Sequence, residues 1–309
     1  MTCTETKLPA TIKAIVLHRP GQATVDSVPT PHPGPGSITI QVLHAMVHNA
    51  AKTLIKGTAG TSGHSMKQPY PNTPGGHGVG RVAASGPDTT APELLRPGQL
   101  VIFDPLVRAR DDGDVAILHG AFDGLDERTR AFARDSWRNG CWAEYVRAPL
   151  ENTWPVGETV VVTPATGLFS GAAAAAAVSR SADKLARMEG IYPGLKTVVA
   201  GKTGNLTCGY CRPRPRGRCC GFQPPWREGF GVPGPGDSFP PADLTVRASW
   251  MYEREYARAL VKMAELGVLK LRKAAGLEVI ASYPLERMEE AVDKGLEAGA
   301  SELVVIGPQ

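Results

Sequence analysis

The stretch that decides the fold runs from Val160 to Met188 and reads VVVTPATGLFSGAAAAAAVSRSADKLARM. A β-branched run comes first, a turn of small residues follows it, and an alanine-rich segment begins directly afterwards. This order predicts a strand, a tight turn and a helix. Such a turn places backbone N–H groups at the N-terminus of the helix, where they favour the phosphate groups of a dinucleotide.

The turn is only partly glycine. A pyrophosphate must approach the backbone closely, and any Cβ in its path holds it off, so small residues are needed at three positions. Ala165 and Ser170 occupy two of them, beside Gly167 and Gly171. Alone, the pattern also fits a small-residue turn that binds nothing, and the preceding strand favours dinucleotide binding. The candidate cofactor-binding residues here are Ala165, Thr166, Gly167, Leu168, Phe169, Ser170 and Gly171.

The residues after the turn predict one continuous helix over 172–188. Seven residues separate Gly171 from Ser179, whereas a helical crossover needs at least about 10–12 residues before the next strand. One long helix would carry Ser179 and Arg180 away from the turn. The next strand is expected at 195–201, where the sequence reads LKTVVAG.

Length and composition limit the function. The chain has 309 residues, enough for two domains, and its 42% hydrophobic content is ordinary for a globular protein. The net charge of +4 comes without a Lys/Arg stripe, so nucleic acid is not an expected partner. No stretch approaches the about 18 apolar residues of a membrane span, and the N-terminus lacks the apolar core of a signal peptide. These features predict a cytoplasmic protein with no membrane partner.

Residues before 156 predict a β-rich domain. The segment SITIQVLHAMV at 37–47 alternates apolar with polar residues, so Thr39 and Gln41 are expected on the solvent side of a half-buried strand. Further strands are expected at 78–86 and 98–107, and a short helix is expected at 126–137.

The second half of the chain mixes regular with irregular composition. Residues 202–243 are rich in Gly, Pro, Arg and Cys and lack periodic apolar positions, which predicts mostly coil. Amphipathic helices are predicted at 253–266 and 285–299, and a closing strand at 302–308. The expected apolar face of the first of these helices comprises Tyr256, Leu260, Met263 and Ala264.

Four of the six cysteines lie within thirteen residues, at Cys208, Cys211, Cys219 and Cys220. This spacing is compatible with a structural zinc knot. The alternative is unstructured chain from a retained intron or a shifted reading frame, since GC-rich frames encode Gly, Pro, Arg and Cys. Both interpretations stay open, and none of the four is assigned as a metal ligand.

Five motifs occur in an order that one superfamily shares. They are PTPHPGPGSITIQV, PGGHGVGRVAASGPDTTAPELLRPGQLVIFD, RNGCWAEYVRAPLENTWPV, GETVVVTPATGLFSGAAA and a C-terminal stretch that begins WMYERE. Over residues 10–200 and 244–307 the chain resembles the medium-chain dehydrogenase/reductase superfamily, in particular zinc-independent alcohol dehydrogenase-like and quinone oxidoreductase-like proteins of a fungal branch. The resemblance implies a GroES-like catalytic domain, a Rossmann domain and hydride transfer with NADP(H).

The resemblance does not favour zinc. Zinc-dependent members carry a Cys after the strand that matches SITIQV and a Gly-His-Glu triplet before the next motif. This chain has His48 at the Cys position, and PGGHGVG places Gly76 and His77 at the His and Glu positions. A catalytic zinc needs three protein ligands. His48 and His77 are therefore candidate catalytic residues without a metal, and the alternative is two polar loop histidines beside a former site.

The resemblance also bears on the cofactor. In the family a Ser and an Arg after the second strand receive the 2′-phosphate of NADPH, and Ser179 and Arg180 match them. NADP is expected ahead of NAD, although the continuous helix predicted above would displace Arg180 and weaken that preference. A helical segment that the family has between its domains is missing where ENTWPV joins GETVVV. The chain thus resembles a truncated member.

The expected fold class is α/β, with a GroES-like β-rich domain plus an abbreviated Rossmann-like parallel-sheet domain. The first domain is expected at 1–156, and the second at 157–250 with its irregular insert at 202–243. Residues 251–309 are expected to complete both domains with helices and strands.

The expected function is that of an NADP(H)-dependent oxidoreductase of the alcohol dehydrogenase-like type. Its substrate would be a small carbonyl compound, alcohol or activated alkene, and family analogy adds a place in fungal secondary metabolism. A small molecule is the expected partner, and a homodimer is left open. The alternative is a catalytically inactive paralogue or a defective gene product that acts at most as a binding protein.

Overall fold

The computed structural model describes residues 8–58, 67–87, 95–124, 126–156, 252, 254–266, 278–298 and 302–308, together with the backbone of four short strands between 176 and 247. The chain divides into two compact units. The first comprises residues 1–59, 65–164 and 257–309, and the second comprises residues 60–64 and 165–256.

The described elements follow in chain order. The strands are β1 (Thr11–Arg19), β2 (Gln22–Pro29), β3 (Ser37–Val47), β4 (Gly78–Ser85), β5 (Leu100–Phe103), β6 (Leu106–Arg108), β7 (Ala116–Leu118), β8 (Tyr145–Pro149), β9 (Thr153–Pro155), β10 (Ala176–Ser179), β11 (Lys196–Val199), β12 (Arg218–Cys220), β13 (Thr245–Arg247), β14 (Glu278–Tyr283) and β15 (Glu302–Ile306). The helices are α1 (Ala51–Ile55), α2 (Glu127–Phe132), α3 (Arg254–Glu265) and α4 (Met288–Glu297).

A seven-stranded mixed sheet forms the body of the first unit, in the order β14-β15-β3-β4-β5-β9 with β8 also paired to β3. β14 and β15 run parallel and are joined through α4, and β15 pairs antiparallel with β3. The two C-terminal strands therefore extend the sheet that β3, β4, β5, β8 and β9 form. β1 and β2 form a separate hairpin, and β6 and β7 pair with each other.

The strand expected at 98–107 is two strands, β5 and β6. Pro105 lies between them, and proline has no N–H to donate to a ladder. β5 pairs with β4 and β9, whereas β6 pairs with β7. The helix expected at 126–137 is α2, which continues as one π-helical turn over Ala133–Trp137.

β3 is more buried than the half-buried strand expected. Ile38, Ile40 and Val42 are buried as their spacing predicts, and Gln41 is exposed. Thr39, however, is fully buried, and its Oγ1 donates a 2.7 Å hydrogen bond to the carbonyl of Pro31. That bond removes the cost of burying the hydroxyl, which is why a polar residue fits on the covered side.

One core joins both ends of the first unit. Ile38 and Ile40 of β3 belong to the same buried cluster as Leu285, Ala291 and Ile306 from the C-terminal segment. A fully buried isoleucine or leucine side chain contributes about 1.5–3 kcal/mol. Packing of α4 and β15 therefore stabilises the sheet that carries β3.

The buried face of α3 differs from the expected one. Val261 is buried against Leu100 and Trp154. Leu260 and Ala264 are partly buried as predicted, but Tyr256 is 44% exposed and Met263 is 40% exposed. The helix packs on the sheet through Val261. Tyr256 and Met263 share another side of the helix, which is more exposed.

The continuous helix predicted over 172–188 is wrong. Residues Ala176–Ser179 form β10, which pairs in parallel with β11 from Ala176 opposite Lys196 to Ser179 opposite Val199. Alanine favours a helix locally, but backbone pairing with a strand later in the chain overrides that preference. Residues 180–195 connect the two strands, which is sufficient for the crossover of about a dozen residues that parallel strands need.

The insert at 202–243 contains one described strand. β12 pairs in parallel with β13, with Cys219 opposite Val246. Cys219 and Cys220 therefore lie on a strand rather than in coil, whereas Cys208 and Cys211 lie outside the described residues. Among the described residues, no helix is long and apolar enough to cross a membrane.

Candidate active site

His48 lies in the turn that leaves β3 and enters α1. The backbone N–H of Ala50 donates a 3.0 Å hydrogen bond to Nδ1 of His48. A neutral imidazole that accepts a hydrogen bond at Nδ1 carries its own proton on Nε2. His48 is a solvent-exposed residue, so it presents an Nε2–H donor at the surface of the first unit.

His77 is held in place through its backbone. It directly precedes β4, and its carbonyl oxygen accepts hydrogen bonds from the Met46 N–H (3.1 Å) and the Cys141 thiol (3.3 Å). Met46 lies near the end of β3, two residues before His48. The end of β3 and the start of β4 pair antiparallel, with Ala45 opposite Gly78. The fold therefore brings together the two histidines expected from the sequence.

The loop before His77 is packed so closely that only glycine fits. Gly75 has a φ of 94°, in the left-handed region, and a Cβ there would overlap the Trp142 ring. A Cβ on Gly76 would overlap the side chain of Pro105. A Cβ on Gly140 would overlap the carbonyl of Gly75. This packing fixes the backbone that carries His77.

Both histidines are neutral near pH 7. The surrounding protein desolvates the imidazole of His48 and lowers its pKa, although the residue remains accessible to solvent. Burial lowers the pKa of half-buried His77 from 6.5 to about 4, and repulsion from a positively charged His48 lowers it further. A proton on one imidazole therefore disfavours a proton on the other, and the pair acts as two uncharged hydrogen-bonding groups.

The residues at this site do not fit zinc. Nδ1 of His48 accepts a hydrogen bond from the Ala50 N–H, and Nε2 carries the proton. Neither nitrogen can bind a metal unless the bond to Ala50 is lost. Pro105 fills the space that a side chain at position 76 would need. Within the described part of the chain, no three His, Cys, Asp or Glu side chains converge on one point.

We expect the purified protein to hold well under stoichiometric zinc at His48 and His77, because the pair lacks a third ligand. Elemental analysis of the wild type and of a His48→Ala, His77→Ala double variant should give the same zinc content. Stoichiometric zinc that disappears in the double variant would contradict this expectation. Zinc that is lost instead on changing Cys208 and Cys211 would assign the metal to the cysteine cluster.

Sequence reasoning missed the residues that support the histidine pair. The indole N–H of Trp142 donates a 3.3 Å hydrogen bond to the carbonyl of Met46. The Asn139 side chain accepts a 3.1 Å bond from the Thr73 N–H. Asn139 and Trp142 lie in the motif RNGCW, which has no hydrophobic periodicity and therefore does not indicate a supporting role. Three backbone hydrogen bonds join the same two segments: the N–H groups of Gly140, Cys141 and Trp142 donate to the carbonyls of Thr73, Gly75 and Pro74, respectively.

The candidate cofactor residues belong to the second unit. The turn at 165–171 and Arg180 lie outside the described residues. Ser179 is the last residue of β10, and Arg180 follows it directly in the sequence. Ligands of open parallel sheets bind beyond the carboxyl ends of the strands. Ser179 therefore lies at the carboxyl end of a parallel strand and not within a helix.

Residues 34–158 match the family model of the alcohol dehydrogenase GroES-like domain. This segment contains His48, His77 and the supporting residues Cys141 and Trp142. No curated protein matches the sequence.

Solved structures share the fold over nearly the whole chain. An alcohol dehydrogenase superfamily protein from Novosphingobium aromaticivorans is 14% identical, with a TM-score of 0.64 over 97% of this chain and 100% of that one. A short chain alcohol dehydrogenase from E. coli CFT073, complexed with NADH, is 16% identical, with a TM-score of 0.60 over 96% and 99%. A protein from Sinorhizobium meliloti 1021 described as a zinc-binding dehydrogenase, bound to NADP, is 16% identical, with a TM-score of 0.59 over 97% and 100%. The chain thus has the α/β fold of alcohol dehydrogenase superfamily proteins, with a GroES-like domain.

Proposed function

We propose that this protein is a zinc-independent oxidoreductase of the alcohol dehydrogenase-like type. It would transfer a hydride between NADP(H) and a small carbonyl compound, alcohol or activated alkene. The observation that carries the proposal is the match of residues 34–158 to the alcohol dehydrogenase GroES-like domain. Neighbouring structures solved with NADP and with NADH support a nicotinamide cofactor.

The cofactor, when bound, supplies the hydride that adds to the carbonyl carbon. His48 binds the carbonyl oxygen through its Nε2–H and stabilises the negative charge that grows there. Because the imidazole is neutral, it donates a hydrogen bond without giving up its own proton. The proton that completes the alcohol comes from solvent, which reaches exposed His48. His77 stays neutral alongside, since its pKa is about 4.

We assign the dinucleotide to the second unit, with the pyrophosphate at Gly167–Gly171 and the 2′-phosphate of NADPH at Ser179 and Arg180. The support is the small-residue turn in the sequence and the position of Ser179 at the carboxyl end of β10. A weak NADP preference was expected because a continuous helix would displace Arg180, but residues 176–179 form a strand and not that helix. NADP is therefore proposed ahead of NAD.

Calorimetric titration of NADPH and NADH tests the assignment. We expect Arg180→Ala to weaken NADPH binding by about tenfold or more, as loss of a charge-assisted phosphate contact typically does, and to leave NADH binding unchanged. Gly167→Val should abolish binding of both, because its side chain would block the pyrophosphate. Arg258→Ala, at an exposed position of α3, serves as the matched control.

Equal loss of NADPH and NADH in Arg180→Ala would remove that residue from the 2′-phosphate site. Binding that survives Gly167→Val would remove the turn from the cofactor site. If neither dinucleotide binds to a protein that unfolds cooperatively, the inactive paralogue is the better description.

A further inference from the structure

The first unit contains a groove that lies apart from the histidine pair. It is a groove of ≈ 240 Å³ between the β1–β2 hairpin and the segment from Arg134 to Arg147. Val28 and Pro31 contribute apolar surface, and Arg134, Arg138 and Arg147 contribute positive charge. Neither His48 nor His77 lines the groove.

Arg147 is the most buried of the three arginines that line the groove. Its guanidinium lies 5.0 Å from the centroid of the Trp137 ring, and its Nη2 donates a hydrogen bond to the carbonyl of Ser136. These contacts leave most of the five guanidinium N–H donors for other partners. Partial burial lowers the pKa of Arg147, and no carboxylate among the described residues forms an ion pair with it. A half-buried guanidinium that has no ion-pair partner is available to an anionic ligand.

The other two arginines differ in what they already bind. Arg134 is paired with Glu127 and with Asp135, each at 3.5 Å. Arg138 is exposed and lacks a carboxylate partner within the described ranges. Asp135 is the carboxylate that lines the groove, and Arg134 neutralises it. Arg138 and Arg147 therefore leave the groove with an excess of positive charge.

We propose that this groove binds a small organic carboxylate with a hydrocarbon body. A planar guanidinium matches the two oxygens of a carboxylate, and the partly exposed apolar side chains of Val28 and Pro31 suit a hydrocarbon group rather than a bare inorganic ion. The volume of ≈ 240 Å³ lies below the about 300–1,000 Å³ of common ligand pockets, so the ligand is small. The site is independent of hydride transfer.

Calorimetric titration of the full chain with benzoate and with its neutral analogue benzamide, in the absence of nucleotide, tests the proposal. Benzoate should bind at least about tenfold more tightly than benzamide, because the charged contact is lost in the amide. Its affinity should fall as salt is added, since the arginines lie partly in solvent. Inorganic phosphate should bind more weakly than benzoate, because it lacks the apolar body.

Arg147→Gln and Arg138→Gln should each weaken benzoate binding by about tenfold or more. Arg138 is exposed, so its substitution keeps the test valid if Arg147→Gln fails to fold. Arg128→Gln is the matched control, because Arg128 pairs with Asp112 and does not line the groove. Equal binding of benzoate and benzamide, no binding at millimolar benzoate, phosphate as tight as benzoate, or unchanged affinity in Arg138→Gln would each overturn the proposal.

Discussion

Acidification should cost the protein about 3 kcal/mol of stability through one buried side chain, His119. His119 follows β7 and is 1% exposed. Burial lowers its pKa from 6.5 to about 4, opposed in part by a hydrogen bond to the backbone of Asn139. Its Nε2 has no hydrogen-bond partner among the described residues, so a proton there would be a buried, unpaired charge.

The direction follows from where the proton binds. In the unfolded chain His119 takes up a proton as the pH falls below 6.5, whereas in the folded chain it stays neutral down to about 4. The unfolded state therefore binds more protons in this window. The contribution to stability is fully present above pH 6.5 and is lost as the pH falls towards 4. Half-buried His77 acts in the same direction.

His119→Phe should remove this part of the acid sensitivity. The ring of His119 meets the Trp137 ring edge-on, at 6.0 Å and 86°, and phenylalanine can keep that contact without titrating. The measurement is the free energy of unfolding in urea across the window from pH 6.5 to 4. His44→Phe, at an exposed position of β3, is the control. If His119→Phe and the wild type lose stability equally on acidification, His119 is not the titrating group.

The alternation of apolar and polar residues predicted the buried aliphatic side chains of a strand correctly. The alternation in β3 placed Ile38 and Ile40 in the core correctly. It failed at Thr39, because the acceptor of its hydroxyl is the carbonyl of Pro31, and that contact depends on the path of the chain before the strand.

The largest error concerned Ala176–Ser179, and it has a physical cause. Helix propensity describes what a segment does with its own neighbours. β10 exists because its backbone bonds to β11, and nothing in the alanine run encodes that partner. The resemblance implied a strand before Ser179 and Arg180, but the seven residues between Gly171 and Ser179 are fewer than a helical crossover needs, and the prediction followed that count.

The sequence predicted which residues form the candidate site, but not their protonation states or positions. A resemblance pointed to His48 and His77, but their protonation states depend on groups brought close by the fold. The tautomer of His48 follows from the N–H of Ala50, and the position of His77 from Met46 and from Cys141, which is distant in the sequence. No periodic pattern reports contacts of this kind.

On the proposed function, His48→Ala should lower kcat/KM for reduction of the carbonyl substrate by about 10²–10³-fold. This is the typical loss when one donor to a developing oxyanion is removed. The loss should fall mainly on kcat, because the Nε2–H bond strengthens as negative charge grows on the oxygen. His48→Gln keeps an N–H donor and should retain more activity than His48→Ala.

Steady-state kinetics with NADPH in excess separate this role from a structural one. His44→Ala is the matched control, since His44 is an exposed histidine on the same strand that leads to His48. It should leave kcat and KM unchanged. The unfolding free energy of His48→Ala should stay near that of the wild type, because the lost bond to the Ala50 N–H lies at an exposed turn where water can replace it. A His48→Ala protein with wild-type kcat would mean that the substrate oxygen binds elsewhere, whereas one that loses activity and stability together would make His48 a support of the turn.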